Sequence, residues 1–351
     1  MRLLEWYENN RRPLPWRDTK DPYRIWLSEI ILQQTRVNQG LDYYLRFVNR
    51  WTTVGELAAA SEDDVLKEWQ GLGYYSRARN LLKAARQVME QFGGLFPTKY
   101  RDLIFLKGVG PYTAAAIASF SGNEAVAVVD GNVYRVLSRL FDIGTPIDST
   151  EGRKLFSNLA TRILDPKEPG KHNQAVMELG ALVCTPVSPR CEACPLQEKC
   201  LARAQGTIPG RPVKQGKVKV RNRWFNYLVF KYGDTLWVHR RGKGDIWQGL
   251  WEYVNVESDG PADAGSPQEL VRPVLPREEW DSVESVVPVV TEGHHQLTHQ
   301  LLHISCFILN LSHEVHPTGQ YEQISWSKWA EKAVPKAIFD LNSKIYPFFV
   351  P

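Results

Sequence analysis

The chain has 351 residues, of which 43% are hydrophobic and 23% charged, the composition of a globular protein rather than of a disordered or fibrous one. No apolar run approaches the ~18 residues that a membrane-spanning helix needs, so we expect no membrane segment. The N-terminal residues lack the apolar core of a secretory signal, which predicts a cytoplasmic protein in a bacterium, or a nuclear or mitochondrial one in a eukaryote.

The formal net charge is +4, but the charge is unevenly distributed. Arg203–Arg223 contains seven basic residues and no acidic one, whereas the residues from Trp224 onward contain 10 basic and 16 acidic ones. This asymmetry predicts that a polyanionic partner binds the first part of the chain and the segment that follows it. A solvated linker would have the same composition.

The periodicity of apolar residues changes along the chain and divides it into three parts. Helical spacing occurs at Ile25–Gln34, Asp63–Gln70, Ala78–Phe92, Thr113–Ser119 and Val133–Phe141. Strand-like runs occur later, at Phe225–Lys231, Thr235–Arg240, Glu252–Glu257 and Gln300–Leu311, with a loop at Asp259–Pro267. We therefore predict an all-α domain over 1–203, a basic linker over 204–223 and a smaller α+β domain over 224–351.

The turn Gly108-Val109-Gly110 precedes a helical segment and follows Lys107. Glycines let backbone N–H groups approach a ligand closely, and a helix N-terminus favours an anion, so this turn predicts a phosphate contact. Many helices turn on glycine without binding anything, so the turn alone is weak evidence.

Two carboxylates stand out in the helical domain. Glu29 shares a helix face with Ile25, Trp26 and Leu32, where burial would raise its pKa and suit it to act as a general acid. The alternative is a glutamate at the edge of an amphipathic face. Asp130 follows an apolar run and begins a helix, so it is an N-cap candidate. Hydrogen bonds from that helix would keep it ionised, able to stabilise a cationic transition state.

Four of the five cysteines, Cys184, Cys191, Cys194 and Cys200, have the spacing C-x6-C-x2-C-x5-C. Disulfides are disfavoured in a cytoplasmic protein, so a metal site is the better interpretation. Four thiolates suit either zinc or an iron–sulfur cluster, and the spacing alone does not decide between them. Cys306 lies alone in a strand segment and is expected to be a buried apolar residue.

Taken together, these segments resemble the MutY family of adenine DNA glycosylases, of the helix–hairpin–helix superfamily. The matching segments are PLPWR, LSEIILQQT, GLGYYSRARNL, LKGVGPYTA, VDGNVYRV, NQAVMELGALVC and the cysteine loop. The resemblance implies a helix–hairpin–helix glycosylase domain with a [4Fe–4S] cluster at the four cysteines, followed by an α+β Nudix-like domain. It also implies a monomer that binds duplex DNA.

The resemblance implies that Glu29 protonates N7 of an extruded adenine and that Asp130 stabilises the sugar cation or attacks the sugar carbon. Asn132 and Tyr112 match positions that orient the intermediate and Glu29. In the related endonuclease III type the position of Tyr112 carries a lysine that permits strand cleavage, so we expect a monofunctional glycosylase. A pyrimidine-specific glycosylase of that type and a DNA-binding lesion sensor are the alternatives.

The family also supplies expectations for DNA contacts. Residues inserted into the duplex correspond to Gln34 and Tyr74, with Leu72 a further wedge, although Tyr74 could be an ordinary turn aromatic. Phosphate contacts correspond to the hairpin Lys107–Gly110, including Val109, and Arg17 is expected to contact DNA. Lys107 stands where the family usually has proline and adds a cation.

In the C-terminal domain, Arg240–Gly242 and Trp247–Glu252 resemble the Nudix-like domain of the family, but the glutamate-rich helix needed for pyrophosphate cleavage is missing from the sequence. We therefore expect this domain to bind and not to hydrolyse. Leu297, Thr298 and His299 match the loop that recognises 8-oxoguanine opposite adenine, although the family usually has an aromatic residue where Leu297 stands. His294, His295, His299 and His303 could alternatively hold a metal.

Overall fold

A computed structural model describes residues 2–216, 219–260 and 271–349. The chain divides into two compact units, one formed by 1–60 with 80–217 and the other by 61–79 with 218–351. The predicted loop at Asp259–Pro267 falls mostly on residues outside the described ranges. Among the described residues, no helix is both long enough and apolar enough to cross a membrane.

The first unit is helical, as predicted. Its described helices are α1 (Arg2–Asn10), α2 (Pro22–Ile31), α3 (Val37–Arg50), α4 (Val54–Ala59), most of α6 (Ser76–Phe92), α7 (Tyr100–Leu103), α8 (Pro111–Gly122), α9 (Gly131–Leu140), α10 (Thr150–Ile163), α11 (Pro169–Leu182) and α12 (Leu201–Ala204); α5 (Glu62–Glu68) belongs to the second unit. Several begin at a side chain that caps the first turn, including Thr53, Asp130 and Ser149.

A hydrophobic core joins α9, α10 and α11. Phe156 is fully buried, and Leu137 and Leu179 are 1% exposed within the same cluster. Burying large apolar side chains at this junction contributes roughly 2 kcal/mol each. The packing therefore fixes the N-terminal end of α9, where Asp130 lies.

Helix α2, which carries Glu29, is shifted relative to the prediction. It begins after Asp21, whose side chain accepts a hydrogen bond from the Tyr23 N–H, and it ends at Ile31 instead of Gln34. Gln34 has a φ of 55°, which no helical residue adopts. The prediction that Gln34 ends the acid helix was therefore wrong, and Gln34 lies in the following turn.

The second unit contains a six-stranded mixed sheet. Its strands are β1 (Arg221–Tyr232), β2 (Thr235–Arg240), β3 (Trp251–Ser258), β4 (Val283–Gln296), β5 (Gln300–Leu311) and β6 (Glu322–Ser325), in the order β4-β5-β1-β3-β2-β6. Two helices, α13 (Trp326–Glu331) and α14 (Lys336–Ile345), follow. Strand β4 was not among the predicted strands, because Pro288 and register shifts interrupt it, features that edge strands tolerate.

Residues 61–79 group with the second unit, although their sequence pattern placed them in the helical domain. Lys67 Nζ donates to the carbonyl of Ala330 at 2.7 Å, and the Asp63 carboxylate pairs with Arg240 at 2.6 Å. The Tyr75 hydroxyl donates to the carbonyl of Val334 at 3.2 Å. These partners are too distant in the chain for local periodicity to reveal.

Candidate active site

Glu29 is 7% exposed in the last turn of α2, among buried apolar neighbours. Burial raises the pKa of its carboxyl to about 7, while the Tyr112 hydrogen bond and the Arg17 charge lower it and the Asp130 charge raises it. The sequence prediction of a raised pKa is confirmed. A carboxyl of this kind is protonated in a substantial fraction of molecules near neutral pH, as a general acid requires.

Tyr112 is the second residue of α8, directly after the proline that opens the helix. Its hydroxyl donates to Glu29 Oε2 at 2.8 Å. Burial, together with the charges of Glu29 and Asp130, raises the pKa of Tyr112 well above its usual value. Tyr112 therefore remains a hydrogen-bond donor that orients the Glu29 carboxyl.

Asp130 caps α9, as predicted, because its Oδ1 accepts from the Val133 N–H at 2.7 Å. Its other oxygen accepts from Asn132 Nδ2 at 2.8 Å. Burial nevertheless raises the pKa of Asp130, outweighing the hydrogen bonds from Val133 and Asn132 that lower it. These hydrogen bonds therefore offset part of the desolvation of the carboxylate, and the expectation that they keep Asp130 ionised stays a prediction.

Asn132 is itself held by Arg135, a residue that the sequence analysis did not single out. Arg135 Nη2 donates to Asn132 Oδ1 and to the carbonyl of Gly180, each at 2.8 Å. Arg135 Nε donates to the carbonyl of Cys184 at 2.6 Å. The amide of Asn132 therefore has a defined orientation, with its nitrogen directed at Asp130.

The apolar run before Asp130 is held by Asn173, which is 3% exposed on α11. Asn173 Oδ1 accepts from the Val128 N–H at 3.1 Å, and its Nδ2 donates to the carbonyl of Val126 at 2.8 Å. These bonds satisfy backbone groups that no strand partner satisfies. An asparagine at the start of the apolar helical segment NQAVMELGALVC is the sequence signal that could have found this residue.

Arg17, which the sequence predicted to contact DNA, is almost fully buried in the structure. Its guanidinium pairs with Glu178 at 2.6 Å, and only 9% of its side chain is exposed. Arg12 donates to the same carboxylate, whose side chain is fully buried. Because the charge of Arg17 also lowers the pKa of Glu29, this pair belongs to the surroundings of the acid.

The glycine turn has the geometry of a hairpin between α7 and α8. Gly108 has a φ of +79°, and a Cβ there would lie 2.8 Å from the Cβ of Asn80. Val109 is 6% exposed, Gly110 precedes the first turn of α8, and Lys107 is exposed. The turn thus requires glycine at 108 and presents a cation next to a helix N-terminus.

The residues predicted to enter the duplex differ in exposure. Leu72 is only 6% exposed, so it is a core residue of its unit, and this burial disfavours its predicted role as a wedge. Tyr74 is 46% exposed and has a φ of 48°. The hydroxyl of Tyr74 lies 2.5 Å from Thr298 Oγ1. Thr298 and His299 are exposed at the tip of the β4–β5 hairpin, and Leu297 is half-buried there.

None of the four cysteines of the loop forms a disulfide, and all four line one small cavity together with Arg139. Within the described ranges, no three His, Cys, Asp or Glu side chains converge tightly enough for a single metal ion. Four thiols around one cavity are the ligand set of an iron–sulfur cluster, which zinc also accepts. Arg139 is 3% exposed and donates to Cys184 Sγ at 3.5 Å.

Comparisons with known proteins agree with this architecture. Residues 27–161 match the HhH-GPD superfamily base excision DNA repair proteins, residues 226–343 match the NUDIX domain, and residues 184–200 match the iron–sulfur binding domain of endonuclease III. The class of protein is therefore a base excision repair protein with a Nudix-like domain, and its cofactor is a [4Fe–4S] cluster.

An adenine DNA glycosylase of Buchnera aphidicola is 32% identical over 311 residues, covering 88% of this chain and 87% of the relative. The chain belongs to the family of adenine DNA glycosylases. The adenine DNA glycosylase of Mus musculus is 46% identical over 225 residues, covering 60% of this chain and 44% of the relative. The chain thus spans less than half the length of the mouse relative.

Two solved structures share the helical fold. A thermostable thymine-DNA glycosylase aligns with a TM-score of 0.54 and 28% identity, covering 58% of this chain and 94% of that chain. Endonuclease III in a non-covalent complex with DNA aligns with a TM-score of 0.51 and 20% identity, covering 58% and 92%. The second likeness shows the fold alone.

The raised pKa of Glu29 predicts a specific pH dependence of base excision. Glu29 must carry a proton to act as an acid, so the rate should fall as the pH rises through about 7. Tyr112→Phe removes a hydrogen bond that lowers this pKa, so the alkaline limb should move to higher pH. Single-turnover rates from about pH 5 to about pH 9 measure the alkaline limb of the wild type and of the variant. An alkaline limb that stays in place in the variant would contradict this role for Tyr112.

The cysteine cavity predicts that the cluster stabilises the fold. An iron–sulfur cluster absorbs visible light, and Cys194→Ala should abolish that absorbance. The variant should also lower the melting temperature by roughly 5–10 °C, because the bound metal contributes folding free energy. Cys306→Ala is the control, since Cys306 is fully buried in the sheet and should retain the absorbance. Iron and sulfide analysis should give about four of each per chain. A Cys194→Ala protein with full absorbance would remove Cys194 from the ligand set.

Proposed function

We propose that the protein removes adenine mispaired with 8-oxoguanine in duplex DNA, by hydrolysis of the N-glycosidic bond. The observation that carries the proposal is the protonatable, buried carboxyl of Glu29, which shares its surroundings with Asp130 at the start of α9. Two carboxyls of different environment divide the roles of acid and anion in glycosidic bond cleavage.

The proton balance of the reaction assigns one step to each carboxyl. The Glu29 proton passes to N7 of adenine while the bond between N9 and the sugar C1′ breaks, and the bonding electrons enter the base. The ionised Asp130 carboxylate stabilises the resulting sugar cation or bonds to C1′. Water then adds at C1′ and displaces the Asp130 carboxylate where that has bonded, its proton returns to Glu29, and an abasic site remains.

The hairpin supports binding of the DNA backbone. Lys107 is exposed beside the N-terminal turn of α8, where peptide dipoles favour a phosphate. An adenine that is stacked in a duplex must leave the stack to reach a buried acid, at a cost of a few kcal/mol. Gln34 and the exposed Tyr74 are proposed to occupy the vacated space.

The β4–β5 hairpin is proposed to recognise the 8-oxoguanine. Thr298 and His299 are exposed at its tip and can donate hydrogen bonds to the oxidised base. Leu297 lacks the aromatic ring needed for stacking, so recognition at this site would depend on the two polar residues.

A single-turnover assay tests the proposal with duplexes that hold adenine opposite 8-oxoguanine, guanine or thymine. We expect rapid adenine release opposite 8-oxoguanine, slower release opposite guanine and none opposite thymine. The product strand should break only after mild alkaline heating, because Tyr112 stands where a lyase has lysine. Tight binding of the mispair without adenine release would favour a lesion sensor, and strand cleavage without alkali would favour a lyase.

A further inference from the structure

Gly180 lies near the C-terminal end of α11, in a regular helical conformation that alanine also adopts. Glycine in a helix interior is destabilising by roughly 0.5–1 kcal/mol relative to alanine, through its greater freedom in the unfolded chain. Backbone conformation therefore gives no reason for glycine at this position. The reason lies in what α11 packs against.

The space over Gly180 is filled by Asn132. A Cβ at Gly180 would lie 2.6 Å from the Cβ of Asn132 and 3.1 Å from both its Cα and its carbonyl oxygen. Two of these atoms are backbone atoms and the third is the Cβ, whose position no change of rotamer alters, so the contact cannot be relieved by the side chain alone. An added methyl group would displace the first turn of α9.

Gly180 also contributes its carbonyl to the same assembly. Arg135 Nη2 donates to Gly180 O and to Asn132 Oδ1, and Asn132 Nδ2 donates to Asp130 Oδ2, each at 2.8 Å. The missing side chain admits Asn132, and the carbonyl anchors the arginine that orients its amide. Both features of Gly180 act on the same amide.

We propose that Gly180 is a positioning residue for base excision: its lack of a side chain and its carbonyl place the Asn132 amide, which in turn holds the Asp130 carboxylate. The inference rests on the proposed function. A misplacement of about 1 Å at a reacting group can lower a rate about 10²-fold. Gly180→Ala should therefore slow adenine excision about 10²-fold in folded enzyme.

Gly170 provides a matched control on the same helix. A Cβ at Gly170 would lie 2.4 Å from the backbone oxygen of Ser119, a comparable clash with α8 instead of α9. Gly170→Ala should lower the melting temperature but keep the excision rate per folded enzyme within about threefold. Equal losses of rate in the two variants would show that Gly180 affects the rate only through general helix packing, and would overturn the inference.

A pH profile distinguishes positioning from packing. Loss of the Asn132 hydrogen bond removes a contribution that lowers the pKa of Asp130, so the acidic limb of the Gly180→Ala profile should move to higher pH. The other groups that act on the pKa values of this site are Glu29 from α2, Tyr112 from α8 and Arg135 from α9, and the substitution changes none of them chemically. An unmoved acidic limb would contradict the inference.

The double variant Asn132→Gly/Gly180→Ala completes the test, because it removes the Cβ that the new methyl group meets. If Gly180 acts through Asn132, adding Gly180→Ala to Asn132→Gly should change the rate less than threefold. If Gly180→Ala alone yields no folded protein, recovery of folded protein in the double variant supports the inference and failure to recover overturns it. A wild-type protein that releases no adenine would instead refute the proposed function.

Discussion

Glu29→Gln is expected to lower the single-turnover rate of adenine excision about 10³-fold or more, because the amide cannot supply the proton that makes adenine a good leaving group. The variant should fold normally, since glutamine keeps the shape of the side chain and can still accept from the Tyr112 hydroxyl, which lies 2.8 Å from Glu29 Oε2. Affinity for the mispaired duplex should remain within a few-fold of the wild type.

The control is Glu56→Gln, on an exposed carboxylate at the start of α4 that accepts from the Thr52 N–H at 2.6 Å. It should retain the wild-type rate. A Glu29→Gln enzyme with more than about a tenth of the wild-type rate would show that another group supplies the proton. Normal DNA affinity with no excision would show that the loss lies in the chemical step.

Asp130→Asn is expected to separate the structural and chemical roles of Asp130. Asparagine caps a helix about as well as aspartate, so the free energy of unfolding should change by less than about 1 kcal/mol. The excision rate should nevertheless fall about 10²–10³-fold, because a neutral amide no longer stabilises positive charge on the sugar. Urea unfolding and single-turnover excision on the same preparation measure both quantities.

Ser149→Ala is the matched control for capping. Ser149 caps α10 by accepting from the Gly152 N–H at 2.9 Å, so its loss should cost about 1 kcal/mol of stability and leave the rate unchanged. If Asp130→Asn instead lost stability and kept its rate, Asp130 would be a cap and nothing more. The sugar cation would then need another stabiliser.

The raised pKa values of both carboxyls bear on the division of roles. Glu29 must be protonated and Asp130 ionised in the same molecule, although burial raises the pKa of each. The hydrogen bonds from Val133 and Asn132 lower the pKa of Asp130 and so favour its ionised form. Asn132 thereby contributes to the split between acid and anion, which is why its placement by Gly180 carries a functional consequence.

Much of the candidate site could be predicted because its signals are local. Asp130 precedes the helix that it caps, Glu29 sits among apolar residues within one turn of its own helix, and the cysteines lie within 17 residues of one another. Each of these patterns is contained in a short stretch of chain. Local spacing is what the periods of helices and turns encode.

Arg17 is an example of a residue whose partner could not be predicted from local sequence patterns. An arginine in a basic protein that resembles a DNA-binding family was assigned to DNA, yet its partner Glu178 lies 161 residues away. A buried ion pair of this kind has no sequence pattern, because neither residue is near the other until the chain folds. For the same reason, the sequence did not reveal that residues 61–79 group with the second unit or that Gly180 packs against Asn132.

The sequence by itself determined the two-part architecture, the helix–hairpin–helix and Nudix-like character of its parts and the cysteine loop, and it singled out Glu29 and Asp130 as the proposed acid and anion. Only the tertiary structure decided that desolvation at Asp130 outweighs its hydrogen bonds, that Arg17 pairs with Glu178, and that Leu72 is buried while Tyr74 is exposed. Desolvation and long-range pairing depend on which segments pack together, and no single segment carries that information.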